Sequence, residues 1–197
     1  AQDLRAHPGP ERARAALAGS AAALVARLDS ELRARAVPER AAGEKAYLKS
    51  DLEHYGTSMP AMRAAVRASL AGVTLDHDAL VALVEELWAA PVHERRAAAV
   101  EVLEQYAALL GVADAGLLER LLRESRTWAL VDGLAASVVG PLTEEDPAWA
   151  PRLDAWAADP DFWLRRSALL AHLLPLRTGG GDWGRFTRFA DAMLPEK

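Results

Sequence analysis

Two segments of the sequence contain the same order of residues, and their Arg-Arg pairs lie 70 positions apart. Each segment has Trp-Ala-Ala, then a proline, then Arg-Arg before small and aliphatic residues. They are LWAAPVHERRAAAVEVL (87–103) and AWAADPDFWLRRSALLAHLL (155–174). Halfway between the two pairs lies LLRESRTWALVDGL (121–134). A unit of about 35 residues with one helical hairpin fits all three segments and is typical of an α-solenoid.

Nearly the whole chain has the composition and apolar spacing of α-helices. Alanine, leucine and arginine dominate, and prolines and glycines separate the apolar runs. The predicted helices run from after Pro8-Gly9-Pro10 to about Arg35, from Pro38 through KAYLKSDL (45–52), from Ser58 and Pro60, from Asp76 to Pro91, and through HERRAAAVEVLEQYAALL (93–110). No pair of strands is predicted. The expected fold is an all-α, right-handed α-solenoid of helical hairpins, formed by residues 1–197 as a single domain.

The composition excludes several classes of protein. The chain has no cysteine, which excludes disulfides, thiolate zinc sites and cysteine nucleophiles. No apolar run reaches the ~20 residues that a membrane span needs, and the N-terminus lacks the apolar core of a signal peptide. We therefore expect a soluble cytoplasmic protein with no membrane partner. The net charge of -5 argues only weakly against nucleic acid, because a local basic face can still bind phosphates.

The histidines and the glycine-rich segment predict no cofactor site. His54, His77, His93 and His172 form no helix-spaced pair, and His7 lies in a Pro/Gly-rich terminus, so no metal site is expected. The segment TGGGD (178–182) lacks the lysine of a phosphate-binding loop and is predicted to connect two helices. The tryptophans that recur at repeat positions are expected in the core between helices; they are Trp88, Trp156 and Trp163.

The second helix of each hairpin in an α-solenoid lines the concave surface. This placement puts six side chains on one inner face: Arg95, Arg96, Trp128, Asp132, Arg165 and Arg166. Basic residues on both sides of an aromatic residue and a carboxylate suit a polyanion with a reactive centre. The alternative is that the arginines form salt bridges between helices, with Glu85, Glu86, Glu94 or Asp161. Recurrence of the pairs at the repeat spacing favours a binding surface.

Trp128 and Asp132 stand four residues apart and share one face of a predicted helix. One interpretation is a core tryptophan beside a solvated aspartate. The other is that both side chains line a site, and the surrounding segments favour it.

Four segments in this order resemble motifs of the DNA alkylation repair glycosylases of the AlkD type, which are built from HEAT-like repeats. They are YLKSDLEHYGTSMPAMR (47–63), LWAAPVHERRAAAVEVL (87–103), SRTWALVDGLA (125–135) and DFWLRRSALL (161–170). The resemblance extends from about Lys45 to Lys197. Each motif is short, and their order and spacing carry the specificity.

The resemblance implies roles for individual residues. Trp128 and Asp132 match the catalytic centre of that family, and Arg166 matches an arginine that contacts the DNA backbone. Tyr47, which opens the YLK motif, matches a tyrosine that reaches the DNA from the opposite side, and Lys49 of the same motif is also expected to bind DNA. The family also has a second aromatic wall, a tryptophan of a last repeat that this sequence lacks. The sequence is therefore expected to end one repeat short.

The implied reaction is hydrolysis of the N-glycosidic bond of purines alkylated at N3 or N7, in duplex DNA, by a monomer that needs no cofactor and acts at the nucleoid. These bases are cationic and leave without being protonated. Asp132 would stabilise positive charge on the sugar and orient a water molecule. The Trp128 indole would attract the cationic nucleotide with ~0.5–2 kcal/mol.

A second hypothesis is a non-catalytic HEAT-repeat scaffold that binds DNA or protein. A pure DNA binder has no need for a carboxylate such as Asp132 facing a phosphate backbone. A protein scaffold predicts no affinity for DNA at low salt and no steep loss of binding as salt rises.

Overall fold

The computed structural model describes the backbone of residues 10–195 and the side chains of residues 15–195, so His7, Pro8 and Gly9 lie outside it. This part of the chain is helical and has no strand, only an isolated parallel bridge between Glu53 and Val92. Its α-helices are α1 (Pro10–Ala34), α2 (Pro38–Leu48), α3 (Met59–Leu70), α4 (His77–Ala89), α5 (His93–Gln105), α6 (Ala115–Ser125), α7 (Trp128–Asp132), α8 (Gly140–Glu145), α9 (Ala150–Ala157), α10 (Phe162–Leu170), α11 (Leu173–Arg177) and α12 (Trp183–Met193). No helix within it is long and apolar enough to cross a membrane.

The predicted helix starts are confirmed, and two predicted ends are wrong. Asp76 caps α4, where its carboxylate accepts the Ala79 N–H at 2.9 Å. Helix α2 stops at Leu48 rather than continuing through residue 52, because Lys49 adopts a left-handed conformation with φ 48°. Helix α5 stops at Gln105, and residues 107–109 form a separate 3₁₀ turn.

The core lies between successive helices and is built mainly from leucine, valine and alanine. In α1, Leu28 and Leu32 are buried, as the apolar spacing predicts. Trp88 and Trp156 are each 2% exposed, which confirms that they are core residues. Trp163 is partly buried against the same core.

Polar contacts join residues about one predicted repeat apart. The indole N–H groups of Trp88 and Trp156 donate to carboxylates of α6 that lie 36 and 37 positions away. Further contacts join Arg120 to Glu85, Arg123 to Asp159 and Arg166 to Asp132, at separations of 35, 36 and 34 residues. These intervals agree with the unit of about 35 residues that the sequence predicts.

Helix α7 continues without a break into a seven-residue π-helix, Gly133–Val139, and then into α8. Glycines stand at both junctions. A Cβ on Gly133 would lie 2.9 Å from Cγ1 of Val100 on α5, and a Cβ on Gly140 would lie 2.9 Å from the carbonyl oxygen of Ala171. The glycines therefore let this helical stretch pack directly against α5 and the end of α10.

Candidate active site and nucleic-acid interface

Helix α7 presents Trp128 at its first position and Asp132 at its last. The preceding residues set its start: Arg126 ends α6 in a left-handed conformation, and the Thr127 hydroxyl accepts the Ala129 N–H at 3.4 Å. The Trp128 side chain is 46% exposed. The alternative of a core tryptophan at this position is therefore wrong.

Asp132 is held by Arg166, which projects from α10. Nε and Nη2 of Arg166 donate to the two carboxylate oxygens of Asp132, each at 2.8 Å. About a third of each side chain is exposed, so the pair is accessible to solvent. The hydrogen bonds to Asp132 raise the pKa of Arg166. A two-point pair of this kind fixes both the position and the plane of the carboxylate.

Tyr47, near the end of α2, lies beside Trp128. Their ring centroids are 6.1 Å apart with planes at 87°, an edge-to-face contact. Tyr47 is 73% exposed. The structure thus brings Tyr47 to Trp128, and Arg166 to Asp132, on neighbouring turns of one helix. Lys49 is exposed and directly follows α2.

A cavity of about 290 Å³ adjoins the two aromatic residues, between α2, α3, α5 and α7. Its exposed wall contains Tyr47, Trp128 and Met59, whereas its buried wall contains His93 and Glu94. Glu44 of α2 also lines it. Together with His54, Glu44 and Glu94 could supply the ligands of a metal ion.

The family model for DNA alkylation repair enzymes matches residues 28–197, which include every residue of this site. The chain belongs to the DNA alkylation repair enzyme family. No curated protein matches the chain in a direct search. Membership supports a role in DNA repair, and hence binding to DNA, for this chain.

Glu94 has a structural role that the sequence did not reveal. It was considered as a salt-bridge partner of the arginines, but its buried carboxylate accepts three backbone N–H groups. These belong to Tyr55, Gly56 and Thr57, at 3.0, 2.6 and 3.1 Å. Glu94 therefore fixes the connection between α2 and α3. No sequence signal pointed to this role, because the partners are about 38 positions away and are backbone groups.

The other predicted DNA-binding arginines donate to backbone carbonyls. Arg95 donates to Glu86 at 2.7 Å, and Arg165 donates to Asp159 at 2.7 Å and to Pro160 at 2.8 Å. Arg96 donates to Glu124 at 2.9 Å and lies 5.0 Å from the centre of the Trp88 ring. Burial lowers the pKa of Arg96. Contact of these arginines with DNA stays a prediction.

Proposed function

We propose that this protein is a DNA glycosylase that hydrolyses the N-glycosidic bond of cationic N3- or N7-alkylated purines in duplex DNA. One observation carries the proposal: Trp128 is half exposed, and one turn later the Asp132 carboxylate is fixed by Arg166 yet open to solvent. Membership of the DNA alkylation repair family supports the same substrate class.

The proposed role of Asp132 is electrostatic. Breaking the glycosidic bond leaves positive charge on the sugar, and a fixed carboxylate beside the sugar stabilises that charge. Because Arg166 already holds both oxygens, the carboxylate does not reorganise during the reaction. Asp132 can also accept a hydrogen bond from the attacking water. The alkylated base departs neutral, so no acid is needed.

The proposed role of the aromatic pair is to bind the damaged nucleotide. A cationic purine beside an indole gains about 0.5–2 kcal/mol over a neutral base. The edge-to-face contact with Tyr47 holds the Trp128 ring in one orientation. Selectivity for charged lesions follows from this arrangement, since an undamaged purine lacks the charge.

The proposed DNA interface places the backbone of the duplex along a concave face of a right-handed α-solenoid of HEAT-like repeats. Arg166 uses Nε and Nη2 for Asp132, which leaves Nη1 to donate to a phosphate. A phosphate contact positions the duplex without reading its sequence. Lys49, Arg95, Arg96 and Arg165 would add charge to this face. We propose that a monomer suffices.

The alternative function is a scaffold that binds DNA or protein without catalysis. The Asp132–Arg166 pair is consistent with a scaffold, because a two-point ion pair that links α7 to α10 can stabilise the fold without any role in catalysis. The two functions predict different effects of Asp132→Asn, which removes the charge of the side chain but keeps its shape.

Release of 7-methylguanine from alkylated duplex DNA distinguishes the two functions. We expect single-turnover release by the unmodified chain, and a rate lower by about 100-fold or more in Asp132→Asn, the usual cost of removing a fixed electrostatic contact. Asp154→Asn is the matched control, because Asp154 also pairs with an arginine, Arg185, at 3.1 Å. Equal release by Asp132→Asn and the unmodified chain would reject the catalytic role.

A further inference from the structure

A cluster of potential metal ligands lies beside the cavity. Glu44 of α2, His54 of the connection between α2 and α3, and Glu94 of α5 each offer one ligand atom, and these atoms all lie within 4.8 Å of one another. Three separate segments of the chain thus converge there.

Several polar atoms of this cluster are buried and have no hydrogen-bond partner among the described residues. They are both ring nitrogens of His54, Oε2 of Glu44 and Nδ1 of His93. His93 is 7% exposed, and its ring stacks on that of His54 with centroids 4.5 Å apart. Burying polar groups without partners is costly, and each such group calls for an explanation.

We propose that Glu44, His54 and Glu94 bind a divalent transition-metal ion of the Zn²⁺ type. One imidazole with two carboxylates suits such an ion, and water completes the coordination. The surrounding contacts fix both carboxylates: Arg40 donates to Oε1 of Glu44 at 2.6 Å, and backbone N–H groups hold Glu94. Oriented ligands of this kind bind metal more tightly than mobile ones.

The ion stabilises the position of α2. No residue of α2 is buried, so apolar packing does little to hold this helix in place. Tyr47 is three residues after Glu44 on the same helix and contacts Trp128. An ion that bridges Glu44 to Glu94 ties α2 to α5 and keeps Tyr47 beside Trp128. The histidine spacing predicted no metal site, because the ligands proposed here come from three separate segments rather than from one helix.

Zinc binding by the full chain, free of any affinity tag and treated with chelator, tests this site. By calorimetry we expect one Zn²⁺ per chain, no comparable binding of Mg²⁺, and a higher thermal unfolding midpoint with Zn²⁺. Affinity should fall by about tenfold or more in His54→Phe and in Glu44→Gln. His54→Phe keeps the ring that stacks on His93, and the Glu44 side chain is 24% exposed, so both variants should fold, as circular dichroism checks.

His77→Gln is the matched control, because His77 is an exposed histidine between the carboxylates of Asp78 and Asp114. It should leave the tight site intact. The proposal is wrong if Zn²⁺ does not bind, if His54→Phe or Glu44→Gln binds it as tightly as the unmodified chain does, or if His77→Gln loses the binding. Zinc binding is measured without any assay of base release, so a failure to bind Zn²⁺ would leave the proposed glycosylase function untouched.

Discussion

At the scale of single residues, the Asp132–Arg166 pair determines both the charge and the orientation of the proposed catalytic carboxylate. Each carboxylate oxygen receives its own N–H from one planar guanidinium group. A lysine carries the same charge but donates from a single point, and it cannot fix the plane of the carboxylate. Orientation and charge can therefore be separated by one substitution.

We predict that Arg166→Lys lowers the single-turnover rate of base release by about tenfold or more, while the affinity for undamaged duplex falls much less. The charge towards the phosphates is kept, and the fixed orientation of Asp132 is lost. Arg185→Lys is the control, since Arg185 makes a similar two-point contact with Asp154. A loss of affinity as large as the loss of rate would show that Arg166 only binds DNA.

At the scale of helices, α7 continues into the π-helix directly after Asp132, and at this junction Gly133 lies close against α5. We predict that Gly133→Ala destabilises the protein by about 1–3 kcal/mol, because the added methyl group would lie 2.9 Å from Cγ1 of Val100. The measurement is the free energy of unfolding in urea.

Val100→Ala supplies the control for this contact. Combined with Gly133→Ala, it removes Cγ1 of Val100, which the new methyl group would otherwise contact at 2.9 Å. The double variant should therefore be more stable than the sum of the two single effects predicts. Additive effects would mean that α5 does not limit the approach of α7.

The junction of α10 and α11 contains a buried histidine with a predicted pH dependence. Burial lowers the pKa of His172 in the folded protein, and the facing charges are Arg185, which lowers it further, and Asp182, which raises it. The stability that such a histidine contributes is fully present above pH 6.5, the pKa of histidine in the unfolded chain. It is lost as the pH falls below that pKa, because the unfolded chain takes up the proton first.

We predict that His172→Phe loses less stability between pH 7.5 and pH 5 than the unmodified chain does. Phenylalanine keeps a ring against Phe186 and Phe189 but binds no proton. Urea unfolding at the two pH values measures the difference. An identical loss in both chains would mean that His172 is protonated as readily in the folded state as in the unfolded state.

Local signals in the sequence predicted the helices better than the contacts between them. Asp76 and Pro38 mark helix starts through the chemistry of their own turn, and the spacing of Trp128 and Asp132 puts them on one face. The end of α2 at Leu48 was missed, since a left-handed lysine is uncommon and has no sequence signature.

The partners across the fold could not be predicted from spacing alone. Arg166 was expected to bind phosphate, but its pairing with Asp132 depends on how α10 packs against α7. The carboxylate of Glu94 meets backbone amides, which any residue type would supply. The π-helix after Asp132 likewise follows from packing around Gly133 and Gly140, and not from a residue pattern.

At the scale of the whole molecule, the protein carries a net charge of -5 and yet belongs to a family that acts on DNA. We predict that duplex binding is independent of sequence and falls steeply as salt rises, because phosphate contacts release counterions. Arg166→Ala should weaken binding about equally on unrelated duplexes and reduce the salt slope by about one unit. Fluorescence anisotropy at several salt concentrations measures both quantities. Loss on some sequences only would contradict a phosphate contact.

If Asp132 faces DNA as proposed, its pairing with Arg166 also bears on how the protein searches a genome. A bare carboxylate on the DNA-facing surface would repel each phosphate it passed, and that repulsion would slow sliding over undamaged DNA. With the guanidinium group against both of its oxygens, the carboxylate presents nearly no net charge at a distance, while a cation in direct contact still meets a negative oxygen. The carboxylate would then add little repulsion on undamaged sequence, and its own attraction for positive charge would act only on a cationic lesion in direct contact.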